Sequence, residues 1–116
     1  MTAQEKTTLL KHILREIDYI IDFTQRISYE QYSETLDYRY ALTRSFEIIG
    51  EAANKLTRDY HNHHPEIEWS SMVGNRNVLI HGYEVVDYDV LWTTAVNDIP
   101  QLRRKIEKLL REELSS

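Results

Sequence analysis

Hydrophobic and polar positions follow a helical period along most of this chain. In the first segment, apolar residues recur every three or four positions, with Lys11, Arg15, Glu16 and other polar residues between them. This spacing puts the apolar side chains on one face, and it predicts an amphipathic helix from about residue 4 to about residue 27. The apolar positions of that face are Leu9, Leu10, Ile13, Leu14, Ile17, Ile20, Ile21 and Ile27.

A second helical pattern runs from about Ser33, a plausible N-cap, to about Arg58. The preceding polar stretch "SYEQYSE" is interpreted as a short connection. Gly50 and the small pair Ala52-Ala53 lie on the inward face of the pattern, where we expect another helix to approach closely. The apolar stripe of this segment therefore predicts a second core helix.

Two further helices are predicted in the second half of the chain. Residues 59–68 are polar and contain Pro65, which indicates a loop, and a third helix is expected from Trp69-Ser70 to about Gly82. The last helical pattern begins at Asp87 or Asp89 and continues to about Leu114.

Pro100 lies inside this last pattern. Proline removes a backbone donor and clashes with the preceding turn, so we expect it to kink the helix or to split it in two.

Taken together, the pattern predicts an all-α, up-and-down helical bundle of four to five helices in a single domain, residues 1–116. The 116-residue chain has only three glycines and two prolines, which argues against a turn-rich β-sandwich. Cysteine is absent, which excludes a disulfide framework and a thiolate nucleophile and fits a reducing cytoplasm. We expect no membrane span and no signal peptide, because no apolar run is long enough.

The formal net charge of -5 argues against a protein that coats nucleic acid. It does not exclude a nuclease whose cleft is locally basic, because the field at a site depends on the charges nearby.

Three chemically capable stretches have simpler structural interpretations. The "HNHH" run, residues 61–64, has imidazoles that can bind a divalent metal, but no acidic residue at a convincing spacing, so a solvated loop without metal is preferred. The basic residues of "RRKIEKLLREE" alternate with glutamates, as on a solvated helix face with ion pairs. Trp69 and Trp92 follow the apolar period and are interpreted as core anchors.

The stretch "NRNVLIHGY", residues 75–83, is the strongest candidate site. Asn77 and His81 are four residues apart and share a helix face, and the long side chain of Arg76 can converge on His81 near the helix end. A histidine at a helix C-terminus beside an arginine also occurs without any catalytic role, since the helix dipole favours it. The residues alone leave both interpretations open.

In its wider sequence context this stretch resembles the HepT toxins of the HEPN-domain family. The resemblance rests on "IGEAANKL", "HPEIEWSSMVGNRNVLIHGYEVVDYDVLW" and "IPQLRRKIEKLL", which include the family's Gly-Glu-Ala signature and its Arg-Asn-x3-His-x-Tyr motif. It covers the chain from Ser33 onward. Asn75 stands where the family most often has Met, a position that is not catalytic in the family.

The resemblance implies a homodimeric, metal-independent endoribonuclease that needs no cofactor and acts on RNA. It implies that Arg76 and His81 are the catalytic pair, with Asn77 as the accompanying polar residue. It also implies a cognate MntA-like nucleotidyltransferase antitoxin that silences the toxin by transferring AMP to Tyr83. Arg44 and Lys55, near the Gly-Glu-Ala signature, are candidates for further RNA contacts, although surface ion pairs are the simpler interpretation.

Metal-free RNA cleavage needs both a general base and a general acid, and this stretch offers one histidine. A two-fold dimer would bring two copies of the pair to a shared cleft, which gives a chemical reason for a homodimer. The alternatives are a non-catalytic helical partner that binds a nucleotide or substrate for a nucleotidyltransferase, and a purely structural dimerisation bundle.

Overall fold

The computed structural model describes residues 1–73 and 86–115, and within these ranges the chain is helical, without β-strands. The prediction of an all-α fold is therefore confirmed. Residues 69–73 are helical too. The helices with defined bounds are α1 (Ala3–Arg26), α2 (Tyr29–Glu34), α3 (Leu36–Lys55), α4 (Arg58–His63), α5 (Tyr88–Asn97) and α6 (Ile99–Ser115).

Helix α1 is the central element, because it packs against both α3 and α6. Its start is fixed by a capping box, in which Thr2 Oγ1 accepts from Glu5 N at 3.1 Å and the Glu5 carboxylate accepts from Thr2 N. The inward positions are fully or almost fully buried, so the predicted apolar stripe is the core face. These residues are Leu10, Ile13, Ile17, Ile20 and Phe23.

The connection between α1 and α3 was predicted wrongly. "SYEQYSE" is not a simple linker: it forms α2, which Ser28 caps by accepting from Gln31 N at 3.1 Å. Ser33 lies inside α2 and not at the start of α3, and its hydroxyl donates to the carbonyl of Glu30. The S-x-x-Q capping box accounts for the helix, and the full burial of Tyr32 accounts for its docking on the core.

The predicted loop over residues 59–68 is also wrong in part. Residues 58–63 form α4, capped by Thr57 Oγ1, which accepts from Tyr60 N at 3.2 Å. Tyr60 is only 5% exposed, and its burial gives this short helix its contact with the core. A further helix begins at residue 69 as predicted, whereas its predicted end at Gly82 lies outside the described residues.

Pro100 divides the last helical pattern in two, as predicted. Helix α5 begins after Asp87, whose carboxylate accepts from Val90 N at 3.1 Å, and it ends at Asn97. Helix α6 begins at Ile99, so Pro100 falls in the first turn, where its missing N–H costs no helical hydrogen bond. None of the described helices is long and apolar enough to cross a lipid bilayer.

Candidate functional site

The four residues of the candidate motif, Arg76, Asn77, His81 and Tyr83, lie outside the described residues. The structure describes the two stretches that lead into and out of this segment. Residues 69–73 precede it and residues 86–88 follow it, and both ends are fixed to the core.

Trp69 fixes the stretch that leads into the motif. Its side chain is 6% exposed, and its indole Nε1 donates to the carbonyl oxygen of His64 at 2.9 Å. The indole lies parallel to the imidazole of His61, with ring centroids 4.5 Å apart and an angle of 7° between the planes. The ring of Tyr60 makes an edge-to-face contact with the same indole, with centroids 6.0 Å apart. The prediction that Trp69 is a core anchor is confirmed.

His61 carries this anchor through to α3. Its Nε2 lies 2.8 Å from the carbonyl oxygen of Ala53, and because a carbonyl oxygen can only accept, Nε2 is the protonated nitrogen. The imidazole is thereby held between the C-terminal end of α3 and the indole of Trp69. We call the pair His61 and Trp69 the ring clamp.

The histidine run is consequently not the solvated loop that its sequence suggested. His63 Nδ1 lies 2.7 Å from the carbonyl oxygen of Asp59, and His64 Nδ1 lies 3.4 Å from a carboxylate oxygen of Glu66. Among residues 1–73 and 86–115, no three His, Asp or Glu side chains are grouped as metal ligands. The contacts of these imidazoles with two backbone carbonyl oxygens and with Glu66 hold α4 and the turn after it.

The stretch that leads out of the motif is held by α2. The Tyr32 hydroxyl donates to the carbonyl oxygen of Tyr88 at 2.7 Å, and the Tyr29 hydroxyl donates to Asp89 Oδ1, also at 2.7 Å. Burial raises the pKa of Tyr32, and the hydrogen bond to Asp89 raises the pKa of Tyr29. The indole of Trp92 packs on the Tyr32 ring with centroids 4.9 Å apart, so Trp92 is a core anchor too.

The two weaker RNA-contact candidates have different surroundings. Arg44 lies 3.3 Å from a carboxylate oxygen of Glu47 and 3.7 Å from one of Glu51, so its charge is neutralised locally. Lys55 is exposed at the end of α3, and in the described part of the chain neither it nor Arg58 forms an ion pair. Of the two candidates, Lys55 is the one whose charge stays available.

Lys55 and Arg58 line an open depression of about 1060 Å³, which we call the α3–α4 groove. It runs from the end of α3 over α4 to the helical residues 69–73. The ring clamp and Val73 form part of its wall, so the groove borders the point where the chain enters the motif segment. The remaining lining residues are Asn54, Leu56, Thr57, Asn62, Pro65, Ile67, Glu68, Ser70 and Ser71.

A second cavity, of about 290 Å³, lies between α3, residues 69–73 and the junction of α5 with α6. Its wall includes the apolar residues Phe46, Ile49 and Met72. Its polar residues include the carboxylates of Glu68 and Asp98 and a single cation, Lys105.

Sequence reasoning did not identify the ring clamp or Arg58. One local signal was available, because Thr57 followed by a buried Tyr60 has the spacing of an N-cap and predicts a helix at residue 58. The contact of His61 with Trp69 joins two elements, and no local pattern predicts it.

Comparison with known proteins places the chain among ribonuclease relatives. The family model described as "Ribonuclease HepT-like" matches residues 13–109. The chain is 42% identical to "Probable ribonuclease HepT" of Thermococcus cleftensis over 100 residues, 86% of this chain and 91% of that protein. It is 36% identical to "Putative RNase MJ1380" of Methanocaldococcus jannaschii over 107 residues, 92% of this chain and 98% of that protein. It is 35% identical to "Putative RNase TTE0752" of Caldanaerobacter subterraneus over 104 residues, 90% and 93% of the two chains. No solved structure matches the chain significantly.

Proposed function

Because the chain belongs to the HepT-like ribonuclease family, we propose that it is a metal-independent endoribonuclease whose catalytic pair is Arg76 and His81. The observation that carries the proposal is the family match over residues 13–109, which spans the whole Arg-Asn-x3-His-x-Tyr motif. The anchored stretches on both sides of the motif support it, because a catalytic pair must be held in a fixed position by its scaffold.

The proposed reaction uses the ribose 2′-OH as an internal nucleophile. The 2′ oxygen attacks the adjacent phosphorus, the bond to the 5′ oxygen breaks, and a 2′,3′-cyclic phosphate and a 5′-OH are formed. A neutral imidazole accepts the 2′-OH proton, and an imidazolium protonates the leaving 5′ oxygen. The guanidinium of Arg76 stabilises the charged phosphoryl oxygens with paired hydrogen bonds.

The reaction requires two histidines, one as general base and one as general acid, and we propose that a homodimer supplies them. Two copies of His81 provide the base and the acid, and two copies of Arg76 make the shared cleft positive in a chain of net charge -5. Apolar side chains left exposed on the single chain support an interface between copies. They include Tyr40 and Val90, each 57% exposed, and Leu36, 48% exposed.

We further propose that the protein is the toxin of a toxin–antitoxin pair whose antitoxin is an MntA-like nucleotidyltransferase. The phenol oxygen of Tyr83 attacks the α-phosphorus of ATP, pyrophosphate leaves, and the phenolic proton is released, which leaves Tyr83 as O-AMP-tyrosine. The added phosphate, two residues from His81, would repel the RNA backbone and block the cleft.

The nuclease proposal is tested on total RNA in EDTA, with wild type, His81→Ala, Arg76→Ala and the control Arg104→Ala, which removes an exposed cation of α6. Because the His81→Ala homodimer lacks both the base and the acid, its cleavage rate should fall by more than the roughly 10²- to 10⁴-fold of one positioned proton transfer, and the control should cleave as wild type does. Intact RNA after incubation with wild type, or cleavage by His81→Ala at the wild-type rate, would contradict the proposal. Nucleotide binding by a chain that leaves RNA intact would instead support the non-catalytic partner.

Regulation is tested separately, by intact mass after incubation with the cognate nucleotidyltransferase and ATP. Wild type should gain AMP units and lose RNase activity together, whereas Tyr83→Phe should gain none and stay active. A mass increase that persists in Tyr83→Phe would place the modification on another residue.

A further inference from the structure

We propose that the α3–α4 groove binds the sugar–phosphate backbone of single-stranded RNA beside the cleavage site. The inference rests on the proposed ribonuclease function and deepens it, because it names residues that hold the substrate without taking part in the chemistry. These residues are Lys55, Arg58, His61 and Asn62.

Two exposed cations, Lys55 and Arg58, line the same groove. Neither forms an ion pair with a described residue, whereas Arg44 has a carboxylate oxygen at 3.3 Å. Other described cations, such as Arg104 and Lys108 of α6, form no such ion pair either, so the place of Lys55 and Arg58 in one groove is what distinguishes them. Two unneutralised cations in one groove attract phosphate, and they add a salt-dependent contribution to binding.

The wall of the groove also carries groups that suit a single-stranded nucleic acid. Besides the cations it presents the half-buried imidazole of His61 and the amides of Asn54 and Asn62. Sites for single-stranded nucleic acid combine a positive groove with rings on which bases stack, and amides can hydrogen-bond to unpaired base edges. The volume of about 1060 Å³ lies slightly above the roughly 300–1,000 Å³ of small-molecule pockets, and the groove is open, as a polymer requires.

The groove also borders the residues that lead into the motif segment. Val73 lines the groove, and Arg76 follows it by three residues. Three extended residues span at most about 11 Å, so the backbone of Arg76 lies within that distance of Val73. An RNA strand bound in the groove is therefore close to the proposed catalytic residue Arg76.

The other cavity fits this ligand poorly. Its volume is about 290 Å³, and its polar wall places Glu68 and Asp98 against one cation, Lys105. Two carboxylates around a small apolar cavity repel phosphate. Among its described lining residues, the α3–α4 groove has one carboxylate, Glu68, and two cations.

The test measures binding of a 2′-O-methyl oligoribonucleotide of about 12 nucleotides, a length within the range that single-strand sites cover. This oligonucleotide cannot be cleaved through the 2′-OH, so binding is measured whether or not the chain is a nuclease. The groove variant is Lys55→Ala/Arg58→Ala. The matched control, Arg104→Ala/Lys108→Ala, also removes one Arg and one Lys, both exposed, from α6.

For single strands, the logarithm of the binding constant falls with the logarithm of salt concentration with a slope of about -0.7 per phosphate contact. Loss of two contacts should therefore make the slope shallower by about 1.4. If the affinity extrapolated to 1 M salt is unchanged, the groove variant should bind about 25-fold more weakly at 0.1 M salt. The control and the charge-conserving variant Lys55→Arg/Arg58→Lys should keep the wild-type slope.

A groove variant with the wild-type slope would overturn the inference, as would a control that weakens binding equally or a wild type that binds no RNA. If wild type cuts RNA but the groove variant binds the oligonucleotide normally, the proposed groove is contradicted and the proposed nuclease function is supported. If binding depends on the groove residues but wild type leaves RNA intact, the proposed nuclease function is contradicted and the proposed RNA-binding groove is supported.

Discussion

Replacing Trp69 with alanine removes the side chain that fixes the entry to the motif segment. The indole is 6% exposed, stacks on His61 at 4.5 Å and donates to His64 O at 2.9 Å. Truncation of a buried tryptophan to alanine costs about 3–5 kcal/mol, to which the lost hydrogen bond and ring contact both contribute. For 116 residues the entropy of unfolding is about 0.24 kcal/mol/K, so Tm should fall by about 12–21 °C.

Thermal unfolding followed by circular dichroism measures this change. The control is Lys11→Ala, which truncates an exposed side chain of α1 and should change stability by no more than about 0.5 kcal/mol, or about 2 °C. If Trp69→Ala lowered Tm by less than about 4 °C, corresponding to about 1 kcal/mol, the ring clamp would not anchor this part of the fold.

The kinetics of RNA cleavage distinguish a role of Trp69 in positioning the motif from its role in general stability. The variant Trp69→Phe keeps an aromatic ring against His61 and loses the indole donor to His64 O together with part of the packed ring. It should therefore remain folded at 25 °C. If the anchor positions Arg76 and His81, kcat for RNA cleavage should fall more than KM rises, because a small displacement affects the transition state more than substrate binding. Unchanged kcat would contradict a positioning role.

Three further changes have expected outcomes that thermal unfolding can check. Tyr32→Phe removes a 2.7 Å hydrogen bond to the Tyr88 carbonyl, which keeps its helical partner. The free energy of unfolding should therefore fall by about 0.5–1.5 kcal/mol, which lowers Tm by about 2–6 °C. An unchanged Tm would show that the bond contributes nothing. The buried Tyr60 hydroxyl has no hydrogen-bond partner among the described residues, so Tyr60→Phe should not lower Tm at neutral pH, and a fall would reveal a missing partner. Burial raises the pKa of Tyr32 and Tyr60 above the ordinary 10.0, so the fold favours the neutral phenols. Their stabilisation is fully present below pH 10 and is lost as the pH rises above it, and each Phe variant should show a shallower alkaline decline than wild type. Asp87→Ala removes the N-cap of α5 and should cost about 0.5–2 kcal/mol, whereas Asp87→Asn should restore most of the stability.

The long helices could be predicted from the sequence because their signals are repeated many times. Helix α1 has a regular apolar stripe, and the observed bounds, Ala3–Arg26, differ from the prediction by one residue at each end. The division at Pro100 was equally predictable, since a proline inside a helical pattern has few structural outcomes.

The short helices α2 and α4 were not predicted, because six residues give too little periodicity. Each contains one fully or almost fully buried tyrosine, Tyr32 or Tyr60, and contacts with the rest of the bundle stabilise it more than helix propensity does. Their N-caps, Ser28 and Thr57, were not recognised in the sequence, because the residues around them are polar.

Some functional features could likewise be predicted from the sequence, and others could not. The motif residues Arg76 and His81 could be singled out because their chemistry and spacing are local. The α3–α4 groove could not, because it brings residues from the end of α3, from α4 and from residues 69–73 to one surface. That arrangement depends on the position of α4 at the end of α3, which follows from the burial of Tyr60 and from the contact of His61 with Ala53 O.

The central claim, metal-free cleavage through the ribose 2′-OH by Arg76 and His81, is tested most directly by the products of a defined substrate. A DNA oligonucleotide that contains a single ribonucleotide is incubated in EDTA with wild type and with His81→Ala, and the products are identified by mass. The account predicts that wild type cuts only on the 3′ side of the ribonucleotide and leaves a 2′,3′-cyclic phosphate and a 5′-OH, and that His81→Ala leaves the substrate intact. Cleavage at deoxyribonucleotides, products with 5′-phosphate ends, or equal cleavage by His81→Ala would contradict it.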